Sequence, residues 1–435
     1  MNFADLAPAD FPTLDQQLDA LRQGLGRAVQ WARAGRLDDE PLRAACLRDL
    51  RFDSQLDDAR GDWLWGMIEA VGAADQLRGA ILDDLTHLPD ERNAEQLCGL
   101  ARHYAARGDE AFRQRLRAIV ADKPIADRPW LGEEELILVE GEPGFLFAAR
   151  VQGQRPVEEA WDSDAADLVR SAAEQFGAER VGRLLSESAA LDEAVARFEQ
   201  AWRRHEAVCG QARRERVRPP ARPVAEVIEA AATQEHAFWL RRWGQSASEA
   251  ELRTVLDHLW AGREPRVVAK LLQVFCGRAL PEFDTRLIEL SHHDDLEVQS
   301  NARIALGQNA HPLIRDLALT ELARGVSRGG VIGLLARNFE PGDEARILAA
   351  VQPPDDEDER HWFLMEVLDV LKVNPEADGS RLGLVVYALT PCGHCRAKAI
   401  KILLNQGAAP DWLRAECRSD ANEDCRQLVE ADPAG

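Results

Sequence analysis

The chain has 435 residues, a hydrophobic share of 46%, a charged share of 29% and a formal net charge of -22. That length suits two or three domains or one long repeat array, and that apolar content supplies a large core. So negative a chain gains nothing from the counterion release that drives binding to phosphate backbones, and anionic lipid repels it, so neither nucleic acid nor membrane is an expected partner.

The opening stretch, MNFADLAPADFPTLDQQ, carries no basic n-region and no apolar h-region, so it does not read as a secretory signal. Residues Asp15 to Gly35 read as one amphipathic helix with Leu18, Leu21, Leu25, Val29 and Ala32 on its stripe. Pro41 opens a second helix through Leu47, at the helix start where proline fits. In the next, Asp62 to Val71, Trp63 and Trp65 read as one rim contact and one core anchor. Ala94 to Val120 reads as a helical hairpin; Tyr104, Gly108 and Ala111 resemble part of a tetratricopeptide unit, without tandem copies.

Glu133 to Val151 is ambiguous. Its apolar runs, Leu136 to Val139 and Phe145 to Phe147, flank a Glu-Gly-Glu-Pro-Gly turn. A short β-hairpin near 136–147 and a pair of buried helices both fit, and the helical neighbours favour the helices. Helices follow at Asp164 to Phe176, Ala178 to Leu185 and Leu191 to Val208. Gly210 to Val224 is then rich in arginine and proline and reads as an exposed connector between residues 1–209 and 225–435. Arg213, Arg214, Arg216 and Arg218 mark it as a candidate hinge or cleavage site.

After a helix over Ala225 to Trp243, helix pairs recur at about thirty-residue spacing. They cover Glu251 to Cys276, Phe283 to Leu306, Ile314 to Phe339, Asp343 to Leu371, Arg381 to Leu404 and Trp412 to Val429. In the pair at Phe283 to Leu306, the turn His292-His293-Asp294-Asp295 precedes a second helix that buries Val298, Ala302, Ile304 and Leu306. Neither helix can hide its apolar stripe alone, which is the logic of a solenoid.

From about Glu249 onward the chain resembles the short HEAT-like repeats of bacteria, of the PBS-lyase type. The matching second-helix positions are Val298-Gln299 with Ala302, Cys395-Arg396 with Ala399, and Cys425-Arg426, each after a polar or acidic turn. The resemblance implies an all-α fold, an α-solenoid preceded by an irregular helical-hairpin region, and a curved surface offered to another protein. Some proteins of this kind are lyases and some helical-repeat proteins are DNA glycosylases, but no residues here match either chemistry.

Four stretches carry possible chemistry. Cys392-Gly393-His394-Cys395 reads first as packed thiols, since Cys395 and Cys425 fall in the slot of the buried Val298. A zinc site drawn from Cys392, Cys395, Cys417 and Cys425, or a redox pair, is the alternative. In the His292–Asp295 turn an aspartate N-cap accounts for the acidity. Asp355, Asp356, Glu357, Asp358 and Glu359 crowd a turn that lacks the spacing of a calcium loop and offers a landing site for a basic partner. The arginine-rich connector lacks aromatics for base stacking.

No nucleophile elbow, P-loop, HExxH or kinase set is present. The sequence therefore points to a cytoplasmic, non-enzymatic scaffold without a cofactor, whose acidic curved surface binds another protein with a basic face. Its alternatives are a regulated protease substrate or inhibitor, cut or hinged at the connector, and a metal or redox protein using Cys392 and Cys395.

Overall fold

The computed structural model describes residues 6–53, 60–88, 91–125, 128, 130–155, 162–214, 222–325, 329–350 and 353–432. All regular structure among them is helical. The chain divides into two compact units. One holds Pro8–Arg218 and Ser419–Glu423; the other holds Pro219–Arg418 and Asp424–Gly435, with Met1–Ala7. No helix among the described residues is long and apolar enough to cross a membrane.

The first unit begins with α1 (Leu14–Gln23), α2 (Gly26–Arg33), α3 (Asp39–Leu47), α4 (Gly61–Val71), α5 (Ala74–His87) and α6 (Glu91–Ala106). It continues with α7 (Glu110–Asp122), α8 (Glu133–Glu140), α9 (Glu142–Gly153), α10 (Asp162–Phe176), α11 (Ala178–Ala189) and α12 (Glu193–Arg214). Odd and even helices sort into two rows. Helices α1, α3, α5, α7 and α9 pack each against the next, and so do α2, α4, α6, α8, α10 and α12. This alternation buries one stripe of each helix between the rows, as a stack of antiparallel pairs requires.

The helical reading of Glu133 to Val151 holds, and three other expectations change here. The helix over Asp15 to Gly35 is two helices, because Gly24 adopts a left-handed conformation (φ 74°) that ends α1. Arg60 fixes that end by donating to the carbonyls of Leu21 (2.8 Å) and Arg22 (2.6 Å). Leu18, expected in the core, is 41% exposed. The hairpin alternative at 136–147 gives way to α8 and α9, which meet at Gly141 (φ 68°). The connector expected from Gly210 begins later, since α12 runs on through Arg214; Arg216 and Arg218 lie outside the described residues. Trp65 is the core anchor, stacked on His103 at 4.9 Å, while half-buried Trp63 donates its indole N–H to Ser419 O (2.9 Å).

The second unit contains α13 (Val224–Thr233), α14 (Trp239–Ser246), α15 (Glu249–Ala261), α16 (Pro265–Gln273), α17 (Arg286–Leu290), α18 (Leu296–Gly307) and α19 (Pro312–Ala323). A 3-10 turn at Ile332–Leu335 is followed by α20 (Asp343–Ala350), α21 (Glu357–Val373), α22 (Ser380–Leu389), α23 (Gly393–Asn405), α24 (Asp411–Cys417) and α25 (Glu423–Glu430). The second members α16, α18, the 3-10 turn, α21 and α23 form one continuous row. The first members α19, α20 and α22 form a row beside them.

The helix expected over Ala225 to Trp243 is broken into α13 and α14, with Gln234 extended and Phe238 80% exposed. The second member expected before Phe339 is the 3-10 turn rather than an α-helix. In α18 the buried apolar side chains are those of Val298, Ala302, Ala305 and Leu306, whereas Ile304 is 37% exposed. Asp295 caps that helix by accepting the N–H groups of Glu297 and Val298, both at 3.0 Å.

A repeated side-chain device holds successive pairs of the second unit together. At the end of each second member a polar side chain reaches back to the preceding turn. Arg278 reaches the Ala247 carbonyl. Asn309 accepts the Leu280 N–H (3.0 Å). Asn338 accepts the His311 N–H (2.8 Å) and donates to Asn309 O (2.9 Å). Asn374 donates to Ala336 O (2.9 Å), and Gln406 accepts the Gly379 N–H (2.9 Å) while donating to Ala377 O (2.8 Å). Each link satisfies backbone groups that a helix end would otherwise leave orphaned.

Candidate functional site

The site lies where α21 packs against α23. Helix α21 starts at Asp356, whose carboxylate accepts the Glu359 N–H at 2.9 Å. The expected acidic turn is therefore in part a helix cap, with Glu357, Asp358 and Glu359 in the first helical turn, where carboxylates are favoured. His361 follows on the second turn and is half-buried.

Helix α22 ends at Thr390. The chain turns through Pro391, and Cys392 stands in extended conformation (φ -95°, ψ 123°) as the N-cap of α23. Its N–H donates to Thr390 Oγ1 at 3.4 Å. Cys395 sits one turn later, which brings the two sulfurs to the same side of the helix start. Both cysteines are buried, at 1% and 2% exposure.

His361 Nε2 lies 3.2 Å from Cys395 Sγ. The ligand atoms of His361, Cys392 and Cys395 all fall within 4.8 Å of one another, the one such convergent His/Cys/Asp/Glu group among the described residues. The two thiols are hydrogen-bonded to each other. Cys392 is lowered, first because the Cys395 thiol donates to it and then because of His361, while burial opposes the shift. Cys395 is raised, first by that same bond to Cys392 and then by burial. One thiolate therefore forms readily, at a helix N-terminus that favours negative charge.

Cys417 and Cys425 do not join this group. Cys417 Sγ points at Tyr387 Oη (3.9 Å) and Cys425 Sγ at Gly393 O (3.9 Å), both fully buried. The third donor is His361, just beyond the acidic run Asp355 to Glu359 and not among the residues singled out from the sequence. A signal for it existed: it lies about one repeat length before Cys395, near the same register of the preceding second helix.

Beyond the cysteines, the seam of α21 and α23 opens into a groove of about 570 Å³. Leu368, Leu371 and Ile402 supply apolar lining, and Lys372, Lys398, Lys401 and Asp369 supply charge. The chain has five lysines, so three of them line this one groove. Lys398, which lines the groove, stands three residues after Cys395 on α23. The candidate hinge residues Arg213 and Arg214 are at the end of α12, away in sequence from this site.

The chain matches no protein-family model, no curated protein and no solved structure.

Proposed function

We propose that the protein is a non-enzymatic, HEAT-like scaffold that binds a segment of another protein along the seam of α21 and α23. The observation that supports this most is the groove itself: an apolar lining flanked by three lysines in a chain of net charge -22. Apolar anchors would give the affinity and the lysines the orientation, as in other grooves that seat a helix or extended segment. The occupant we infer is a short apolar segment flanked by acidic residues. The field of the whole chain steers a partner that is basic elsewhere, and Asp355 to Glu359 at the start of α21 offers such a partner a second contact.

Fluorescence anisotropy with labelled peptides tests the reading. Acidic-apolar peptides should bind, and the triple change Lys372→Glu, Lys398→Glu, Lys401→Glu should weaken them by roughly 10-fold or more, as loss of paired charge does. Rising salt should weaken binding in the wild type and not in the triple variant. Equal affinity of the two proteins, or a preference for basic peptides, would remove the groove from the function.

A further inference from the structure

We propose that His361 Nε2, Cys392 Sγ and Cys395 Sγ bind one zinc ion, which clasps the α20–α21 pair to the α22–α23 pair. Convergence is the first argument. Three donors come from two successive helix pairs, and their ligand atoms lie within 4.8 Å of one another. A tetrahedral zinc ion needs sulfur–sulfur edges of about 3.8 Å and sulfur–nitrogen edges of about 3.5 Å. The 3.2 Å between His361 Nε2 and Cys395 Sγ is already near that edge.

Donor chemistry is the second argument. Two thiolates and an imidazole select zinc over magnesium or calcium, which take oxygen donors. Charge is the third. With the ion bound both cysteines are thiolates, any proton they still hold having passed to solvent, and the two thiolates cancel the two positive charges of the ion, with His361 neutral. A neutral cluster suits sulfurs that are 1% and 2% exposed, whereas two bare thiolates there would not be tolerated. Packing alone would account for two buried cysteines; it does not require an imidazole nitrogen aimed at their sulfurs. The three protein donors leave the fourth tetrahedral position to water. Such a clasp ties neighbouring repeats at the helix starts, at the opposite end of α21 and α23 from the Asn374 and Gln406 links.

The test uses the full chain, kept reduced, stripped with a chelator and titrated with Co²⁺. Expected are thiolate-to-cobalt charge-transfer absorption and intense visible bands of a tetrahedral ion, saturating at one ion per chain and bleached by Zn²⁺. Cys392→Ser with Cys395→Ser should abolish the signal, and His361→Ala should weaken binding at least 10-fold and change the band pattern. Cys209→Ser, at an exposed cysteine outside the cluster, should leave it intact. If the variants fail to fold, the wild-type titration still decides. Absence of a saturable cobalt spectrum from stripped wild-type protein with full helicity would overturn the proposal. So would an undiminished spectrum in the folded double-cysteine variant, or isolation of a Cys392–Cys395 disulfide whose reduction restores no metal binding.

Discussion

The two units solve one problem, the burial of polar groups between stacked helices, by different means. In the first unit the solutions are singular. Asp49 and Arg51 form a bidentate pair with both side chains at or below 1% exposure, joined by Glu95 at 3.1 Å. Trp65, Tyr104 and Phe112 form a chain of ring contacts, and His103, stacked on Trp65, is pushed down to about 4 by burial. Arginine–carboxylate pairs recur in later helices of this unit, at Arg78–Asp109 and Arg117–Glu140, but among the described residues none of them is buried on both sides as the first is. In the second unit the solution is repeated: Asn309, Asn338, Asn374 and Gln406 occupy equivalent ends of successive second members. Stacking alone therefore does not make a repeat visible. What makes it visible is one side chain answering the same backbone need at each step.

The largest effect should come from breaking a singular solution. Arg51→Ala leaves the Asp49 carboxylate buried and uncompensated, which costs about 3–5 kcal/mol. Hydrogen exchange followed by mass spectrometry should show faster exchange in α3 to α6, whose turns this pair supports, with the second unit unchanged. Equal loosening of both units would mean that the contrast drawn above has no energetic content.

A smaller effect sharpens the comparison through pH. Each unit holds a glutamate raised from its ordinary 4.5 to about 7, Glu135 in the first and Glu366 in the second, and burial is the leading cause in both. The folded state then binds more protons than the unfolded state between those two values, so stability should fall as pH rises from about 4.5 to 7, and no further above that. The upper bound is about 3 kcal/mol for each residue. Glu366 differs in accepting the N–H groups of Gly330 and Gly333 (3.1 Å to the latter), which favour its charged form and oppose the burial. Glu366→Gln and Glu135→Gln should each flatten the pH dependence of urea unfolding within its own unit. A slope of unchanged size in both variants would place the titration elsewhere.

Much of this was legible from the residues. Period 3.6 placed the pairs, and the buried slot of Val298 predicted that Cys395 and Cys425 would be buried, as they are. The misses share a cause, which is that local pattern was overruled by partners distant in sequence. The apolar stripe continues across Gly24, so the break there depends on Arg60 and on a left-handed glycine. The break after Thr233 depends on Lys270, which donates to the Gln234 carbonyl. The 3-10 turn at Ile332 is held by Glu366, which accepts the N–H of Gly330 just before it and of Gly333 within it. At the candidate site the two cysteines were visible because only two residues separate them in sequence. His361 was not, because only the stacking of one pair on the next brings it to them.

The smallest effect tests the repeated device itself. Asn338 is half-buried, and its side chain accepts from His311 (2.8 Å) and donates to Asn309 O and Leu334 O (each 2.9 Å). Alanine there removes three bonds at once, but nearby solvent can reach some of the groups it abandons, so the cost should be about 2 kcal/mol rather than the sum of three desolvation penalties. The loss should also spread. Asn309 and Asn374 bind the turns on either side of the link at 338, so their protection depends on that turn keeping its shape. Hydrogen exchange in Asn338→Ala should therefore rise in α18 and α21 as well as at the substituted turn, with little change in α15 and α16, as expected of a stack whose members hold only their neighbours. Were exchange to rise only within residues 329–350, the links would be independent caps and not a connected series.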